Sequence, residues 1–115
     1  MTPHDFVAQL NAAVVEENHA IYRDLLLNTD IDRASDPYWR RVLSVFRDLS
    51  ADQREVLLEL TRQVTIDATA NVLGVIDGSC PLGGEECQFR LISEGRDLSG
   101  DLQSLFLEQA EQNSP

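Results

Sequence analysis

Apolar side chains recur at helical spacing near the start of the chain and predict one long amphipathic helix over residues 3–28. Thr2 and Asp5 form a capping box at its start, and Pro3 suits the first helical position, where no backbone N–H is needed. The stripe expected to face the core consists of Phe6, Leu10, Val14, Ile21 and Leu25.

The polar stretch 28–37 ends this helix, and a second helix is predicted after it. Ser35 is the expected cap, with Pro37 in the first turn. The apolar positions that follow have helical spacing and predict a buried stripe. Its members are Tyr38, Val42, Val45, Phe46 and Leu49.

A third helix, over residues 50–77, is predicted to lie at the centre of the fold. Ser50 and Gln53 form its capping box, and Gly78 suits the position after its last turn. Its second half is apolar nearly all round, which is typical of a helix enclosed on every side. The stripe that continues through both halves consists of Leu57, Leu60, Val64, Ala68, Val72 and Val75.

The last part of the chain predicts a small β-hairpin and a final helix. Residues 88–98 alternate in β fashion around a turn at Glu94 and Gly95, and residues 99–112 return to helical spacing. A chain of 115 residues is long enough for one hydrophobic core. We therefore expect a single, mainly α domain: a four-helix bundle around a central buried helix at about residues 50–77, with a hairpin at about 88–98.

The charge balance restricts the partners that this chain can have. It carries twenty acidic residues, nine arginines and no lysine, a net charge of −11. Such a polyanion does not bind DNA or RNA unaided, and anionic membrane surfaces are disfavoured for the same reason. A basic protein partner is favoured instead. The sequence has no run of eighteen apolar residues and no secretory signal pattern, so we expect a cytoplasmic protein.

The acidic surplus is uneven along the chain. Residues 1–37 and 85–115 each have a net charge of −5, whereas the segment between them has a net charge of −1. If the first and last helices lie side by side, their outward acids would form one negative binding face. The residues predicted for this face are Asp24, Asp97, Asp101 and Glu111.

The glycine-rich stretch 74–87, GVIDGSCPLGGEEC, matches no ligand-binding loop that we tested. A phosphate-binding loop needs a lysine, a zinc site needs two ligands beyond Cys80 and Cys87, and Pro81 and Gly83 break an EF-hand pattern. We therefore predict neither a metal nor a cofactor. Cys80 and Cys87 are expected as free thiols in a reducing cytosol, with a disulfide between them as the alternative.

Three polar residues fall where the helical patterns predict burial. Glu17 lies in the stripe of the first helix, and Asp67 and Asn71 lie four residues apart in the enclosed half of the third helix. Buried polar groups need partners, so these residues should form internal ion pairs and hydrogen bonds or line a pocket. No nucleophile, base and orienting residue stand at a spacing that identifies a catalytic site, and no catalytic residue is predicted.

Two segments, RQVTIDATANVLGVIDGS and FRLISEGRDLSGDLQSLFLEQ, resemble a family of small acidic bacterial proteins of uncharacterised function. The likeness covers about residues 36–110 and implies a bacterial cytosolic protein without assigning an activity. The family pattern is Leu-Gly-x-x-Asp-Gly-Ser, then Gly-Asp-Leu-Gln and Phe-Leu-Glu, and it does not include the cysteine-containing insert. The matching residues are Asp67, Asn71, Leu73, Gly74, Asp77, Gly78, Ser79, Gly100, Asp101, Leu102, Gln103, Phe106, Leu107 and Glu108.

Three functional hypotheses remain at this point. The first is an acidic binding protein, an immunity-type inhibitor that masks a basic toxin or effector protein. The second is a small enzyme with a pocket near Asp67 and Glu17. The third is a structural subunit that buries apolar helix surface in a homodimer.

Overall fold

The computed structural model describes residues 1–85 and 87–113 and confirms a mainly α fold with one small antiparallel hairpin. In the hairpin, Ile92 pairs with Asp97 and Ser93 pairs with Arg96. The long first helix, α1, runs through three contiguous segments, Pro3–Leu10, Asn11–Glu16 and Glu17–Asn28, and a 3₁₀ turn follows at Ile31–Arg33. The other elements are α2 (Pro37–Arg47), α3 (Ala51–Asp77), β1 (Ile92–Ser93), β2 (Arg96–Asp97) and α4 (Leu102–Gln112).

Three of the predicted helix-end patterns are present in the structure. Thr2 with Asp5, and Ser50 with Gln53, form complete capping boxes at the starts of α1 and α3. Gly78 ends α3 in the left-handed conformation, with φ of 84°. Because side chains rarely adopt that conformation, glycine is the residue suited to this position.

Two helix starts differ from the prediction. Asp36, rather than Ser35, caps α2, because its carboxylate accepts a hydrogen bond of 2.9 Å from the backbone N–H of Tyr38. The final helix begins at Leu102 rather than at residue 99, because the preceding residues form a turn that packs against the end of α3.

α3 extends along the molecule, and α1 and α4 both pack against it in the antiparallel direction. Arg23 of α1 is hydrogen-bonded to Glu55 near the start of α3, and α4 begins beside Asp77 at its other end. The molecule measures 50 × 31 × 24 Å, and its radius of gyration of 17.5 Å exceeds the value of about 13 Å typical of a compact chain of this length. This elongation leaves room for two hydrophobic cores rather than one.

The two cores lie at opposite ends of α3. The α4 core joins the first part of α1, the second part of α3 and α4, and the α2 core joins the last part of α1, α2 and the first part of α3. The buried residues of the α4 core are Val7, Val15, Ile66, Ala70, Leu73, Leu102, Phe106 and Ala110. Those of the α2 core are Leu26, Leu43, Phe46 and Leu58.

The buried face of α1 differs from the predicted stripe by about one residue. Val7, Asn11, Val15 and Leu26 are buried, whereas Ile21 is exposed. The middle segment of α1 is a π-helix, in which each turn takes up an extra residue. The offset is already present at Val7, before this segment, because the adjacent apolar residues Phe6 and Val7 both fit the helical pattern and only tertiary contacts decide which one is fully covered.

The prediction that the second half of α3 is enclosed on every side is wrong. The helix has two apolar faces, and the described chain covers only the one that contains Leu58, Ile66 and Leu73. The opposite face, called here the apolar ridge, holds four of the six residues predicted as the core stripe. The ridge comprises Val56, Leu60, Val64 and Val72, which are 63, 57, 58 and 61% exposed, together with the exposed Ala68.

Candidate functional site

Asp77 joins the end of α3 to the start of α4. Its two carboxylate oxygens accept hydrogen bonds of 2.8 Å from the backbone N–H groups of Gly100 and Gln103. Asp101 occupies the usual capping position of α4 but makes no capping bond of its own. Asp77 therefore caps α4 from a neighbouring helix. Its negative charge is favourable there, because the start of a helix carries a partial positive charge.

Gly74 lets the loop after α3 and the first turn of α4 approach the helix closely. A Cβ at this position would lie 2.7 Å from the sulfur of Cys80 and 2.9 Å from the side-chain nitrogen of Gln103. The carbonyl of Gly74 also accepts hydrogen bonds from the N–H groups of Ser79 and Cys80. The Leu-Gly-x-x-Asp-Gly-Ser sequence and the Gly-Asp-Leu-Gln sequence thus meet at the contact between the end of α3 and the start of α4, called here the α3–α4 joint. The close packing and the hydrogen bonds of this joint account for both sequences.

Cys80 and Cys87 are both free thiols in the structure. Cys80 is half-buried, with its sulfur 3.9 Å from the side-chain nitrogen of Gln103, and Cys87 is exposed. The disulfide considered as the alternative is not formed.

Glu17 is not the paired acid of α1; its neighbour Glu16 is. Glu17 is exposed, whereas Glu16 accepts a short hydrogen bond from Arg62, whose side chain is only 10% exposed. The prediction of a buried Glu17 is wrong because the covered face of α1 lies one residue away from the predicted stripe, an offset already present at Val7. The partner of Glu16, Arg62, belongs to α3.

Two other polar residues of α1 have buried atoms without a hydrogen-bond partner among the described residues. These atoms are Oδ1 of Asn11 and Nδ1 of His19. Asn11 is 1% exposed and lies in the π segment, within the apolar part of the fold. No pattern of apolar residues could have identified it, because a buried amide interrupts the hydrophobic stripe.

Asp67 and Asn71 are also not buried. Both lie on the exposed side of α3, and Asp67 accepts a hydrogen bond of 2.9 Å from the side chain of Gln63 one turn earlier. Their predicted burial was wrong for the same reason as the predicted core stripe: the covered face of α3 is the opposite one. The structure does not bring Glu17, Asp67 and Asn71 together in a pocket.

The fold separates the acidic surplus into one half of the molecule. The α4 half, residues 1–16, 63–85 and 87–113, contains ten acidic residues and two arginines. The α2 half, residues 17–62, contains nine acidic residues and seven arginines. The two strongly acidic segments of the sequence are therefore not the structural units of charge, because five of the seven acids of residues 1–37 share the α2 half with the arginines of α2 and α3.

The four acids predicted for a common face are distributed over both halves. Asp24 is in the α2 half and accepts a hydrogen bond from Asn28, whereas the other three are in the α4 half. Asp97 accepts hydrogen bonds from Ser99, which lower the pKa of its carboxyl below the ordinary value. Asp101 and Glu111 lie at opposite ends of α4.

An open cleft of about 550 Å³ lies between α3 and α4 in the acidic half. Glu108 and Glu111 line it, and their spacing of three residues places both carboxylates on the same side of α4. Neither forms an ion pair with any residue in the described ranges. The apolar part of the lining is formed by Ile66, Leu107 and Ala110.

A second open groove, of about 440 Å³, lies in the α2 half and is mostly apolar. Among its aromatic side chains, Tyr22 and Tyr38 both have their rings in contact with the ring of Trp39. Leu57 and Thr61 of α3 form its edge toward the apolar ridge. The remaining lining residues are Leu26, Arg41, Val42, Val45 and Phe46.

Within the described residues, no group of three or more histidine, cysteine, aspartate or glutamate side chains is placed to hold a metal ion. None of the described helices is both long enough and apolar enough to cross a membrane. Compared with known proteins, the chain matches no family model, no curated protein and no solved structure. The cleft, the groove and the ridge are therefore interpreted from their own geometry and charge.

Proposed function

We propose that this chain is an acidic binding protein of the inhibitor or immunity type, which masks a basic protein by holding a lysine or arginine of that protein in the cleft between α3 and α4. The observation that carries the proposal is the pair Glu108 and Glu111 in an open cleft whose lining is part polar and part apolar. A long basic side chain has the matching chemistry, because its aliphatic stem packs on apolar groups while its charged end binds carboxylates.

The surrounding charge supports the same partner. The α4 half has ten acidic residues against two arginines, so its field attracts a basic surface before contact is made. Charges outside the contact mainly raise the association rate, whereas paired charges inside the contact slow dissociation. We therefore expect the cleft acids to affect both rates and the other acids of this half to affect association alone.

The test begins with affinity capture from a lysate of the organism that encodes the chain, followed by binding kinetics with the captured protein. The key variant is Glu108→Gln with Glu111→Gln. We expect its association rate at low salt to fall by about tenfold, its dissociation rate to rise, and the salt dependence of association to weaken.

The matched control is Glu17→Gln with Asp48→Asn, which removes the same charge from exposed positions in the α2 half. Its rates should stay within about twofold of those of the unmodified chain. Capture of no basic protein would contradict the proposal, as would equal losses of affinity in the two variants.

A further inference from the structure

We infer that the apolar ridge of α3 is covered by the same ridge of a second copy, so that the protein is a two-fold symmetric homodimer. The ridge residues Val56, Leu60, Val64, Ala68 and Val72 follow one another at intervals of four along the helix. This i±4n row is the one that interdigitates with an identical row in the commonest class of helix packing, at a crossing angle of about −50°. The row therefore has the periodicity of a packed helix face and no cover within the described chain.

The ridge is complementary to itself when two copies run antiparallel and the two-fold axis passes through Val64. A residue before Val64 in one copy then faces the residue equally far after Val64 in the other. Leu60 therefore lies opposite Ala68, so that a large side chain packs against a small one. The same symmetry places Asp67 opposite Thr61 of the other copy. No like charges therefore meet at the centre.

The charge distribution favours a second copy over a charged partner at this face. Between Val56 and Val72 the charged residues are Glu59, Arg62 and Asp67, and Arg62 turns away to bind Glu16. Two chains of net charge −11 repel each other overall, but the facing helix segments carry few charges, so the repulsion at this face is small. A ridge with so little charge offers no complement to a basic protein, but it offers apolar area to its own copy.

The area required for a stable dimer extends the contact beyond α3. The ridge spans seventeen residues, Val56 to Val72, and is thus about 24 Å long and one helix wide, which falls short of the roughly 800 Å² that each partner buries in a standard interface. The aromatic groove adjoins the ridge through Leu57 and Thr61. A helix that crosses the ridge at an angle also reaches beyond α3, so we assign part of the interface to the exposed Tyr38 and Val45.

Sedimentation of the full chain over a concentration series tests this inference. A single chain has a mass of 12.9 kDa, and we expect twice that mass at about 100 µM. Val64→Glu places two carboxylates on the symmetry axis and should raise the dimer dissociation constant at least about 100-fold. The control Ile92→Glu makes the same kind of change in the hairpin, at a side chain of matching exposure, 59%. Its dimer dissociation constant should stay within about threefold of that of the unmodified chain.

A cysteine at the axis gives a second measurement that does not depend on destabilising the dimer. In a background with Cys80→Ser and Cys87→Ser, Val64→Cys should form a disulfide between two chains at least about tenfold faster than Ile92→Cys. A mass of one chain at every concentration would overturn the inference. Equal cross-linking rates, or a dimer unaffected by Val64→Glu, would also overturn it. These readouts concern self-association alone, so their failure is distinguishable from the absence of a basic partner.

Discussion

The α4 half and the α2 half of this molecule are built from the same long helices but differ in packing and in charge. The α4 half has eight buried residues in its core, including the fully buried Phe106, and it carries most of the acidic surplus. The α2 half has four buried core residues, seven arginines and an open aromatic groove. The α4 half therefore holds the fold together, whereas the α2 half exposes its aromatic groove, and the apolar ridge of α3 extends over both halves.

The difference shows how one helix can serve two environments. α3 buries one face in both cores, and its opposite face remains apolar without any cover in the described chain. Large exposed apolar surfaces are unusual on monomeric proteins and generally mark interaction sites. In this protein the apolar surface and the acidic cleft are separate, and we propose that they bind a second copy and a basic protein, respectively.

The largest expected effect compares the two cores directly. Phe106→Ala should lower the free energy of unfolding by about 5 kcal/mol, because the α4 core encloses this ring completely. Phe46→Ala should cost only about 3 kcal/mol, because Phe46 lines the open groove and its surroundings can relax. Urea unfolding at low protein concentration measures both values. Equal losses, or a larger loss for Phe46→Ala, would remove the distinction between a dense core and a thin one.

A smaller effect is expected at the α3–α4 joint. Asp77→Ala leaves the N–H groups of Gly100 and Gln103 without their acceptor and should cost about 2 kcal/mol. Asp101→Ala is the matched control, because Asp101 holds the capping position without making a capping bond, and it should cost less than about 0.5 kcal/mol. Thermal or urea unfolding measures both values. A greater loss of stability for Asp101→Ala than for Asp77→Ala would show that Asp101, and not Asp77, caps α4.

The smallest effect concerns the exposed ion pair of the α2 half. Hydrogen bonds from Arg23 hold the pKa of Glu55 below its ordinary value, and His19 adds a weaker electrostatic contribution. A lowered pKa stabilises the fold at neutral pH, and this contribution is lost as the pH falls through the folded-state pKa. Glu55→Gln should therefore be less stable than the unmodified chain at pH 7, and the difference should shrink toward about pH 3. In an Arg23→Gln background the same substitution should show a clearly weaker pH dependence; an unchanged dependence would rule out this pair as its cause.

The helices, their caps and the hairpin could be predicted from the sequence, because each depends on neighbouring residues. The two capping boxes and Gly78 are examples, since their hydrogen bonds and backbone angles are local. The buried face of α3 could not be predicted, because both of its faces are apolar and only tertiary contacts decide which one is covered. The stripe through Val64 fits a core helix as well as the stripe that the fold in fact buries.

The candidate site shows the same limit. Glu17 and Glu16 are adjacent in sequence, and the residue pattern does not decide which of the two faces Arg62. The cleft acids Glu108 and Glu111 have ordinary helical spacing. They can be recognised as a candidate site only once the fold places α3 beside them. Asp77 was visible as part of a motif, but its role as the cap of a distant helix depends on the fold.

Amide hydrogen exchange at low and high protein concentration tests the central claim, that the α4 core holds the fold together while the apolar ridge and the adjoining α2 surface bind a second copy. At low concentration, we expect the slowest exchange in α4 and the second part of α3, and faster exchange in α2, because the α2 core is thinner. At high concentration, protection should increase in α2 and along α3 near Val64, while the hairpin stays unchanged. Uniform protection of both halves, or protection that does not change with concentration, would contradict the account.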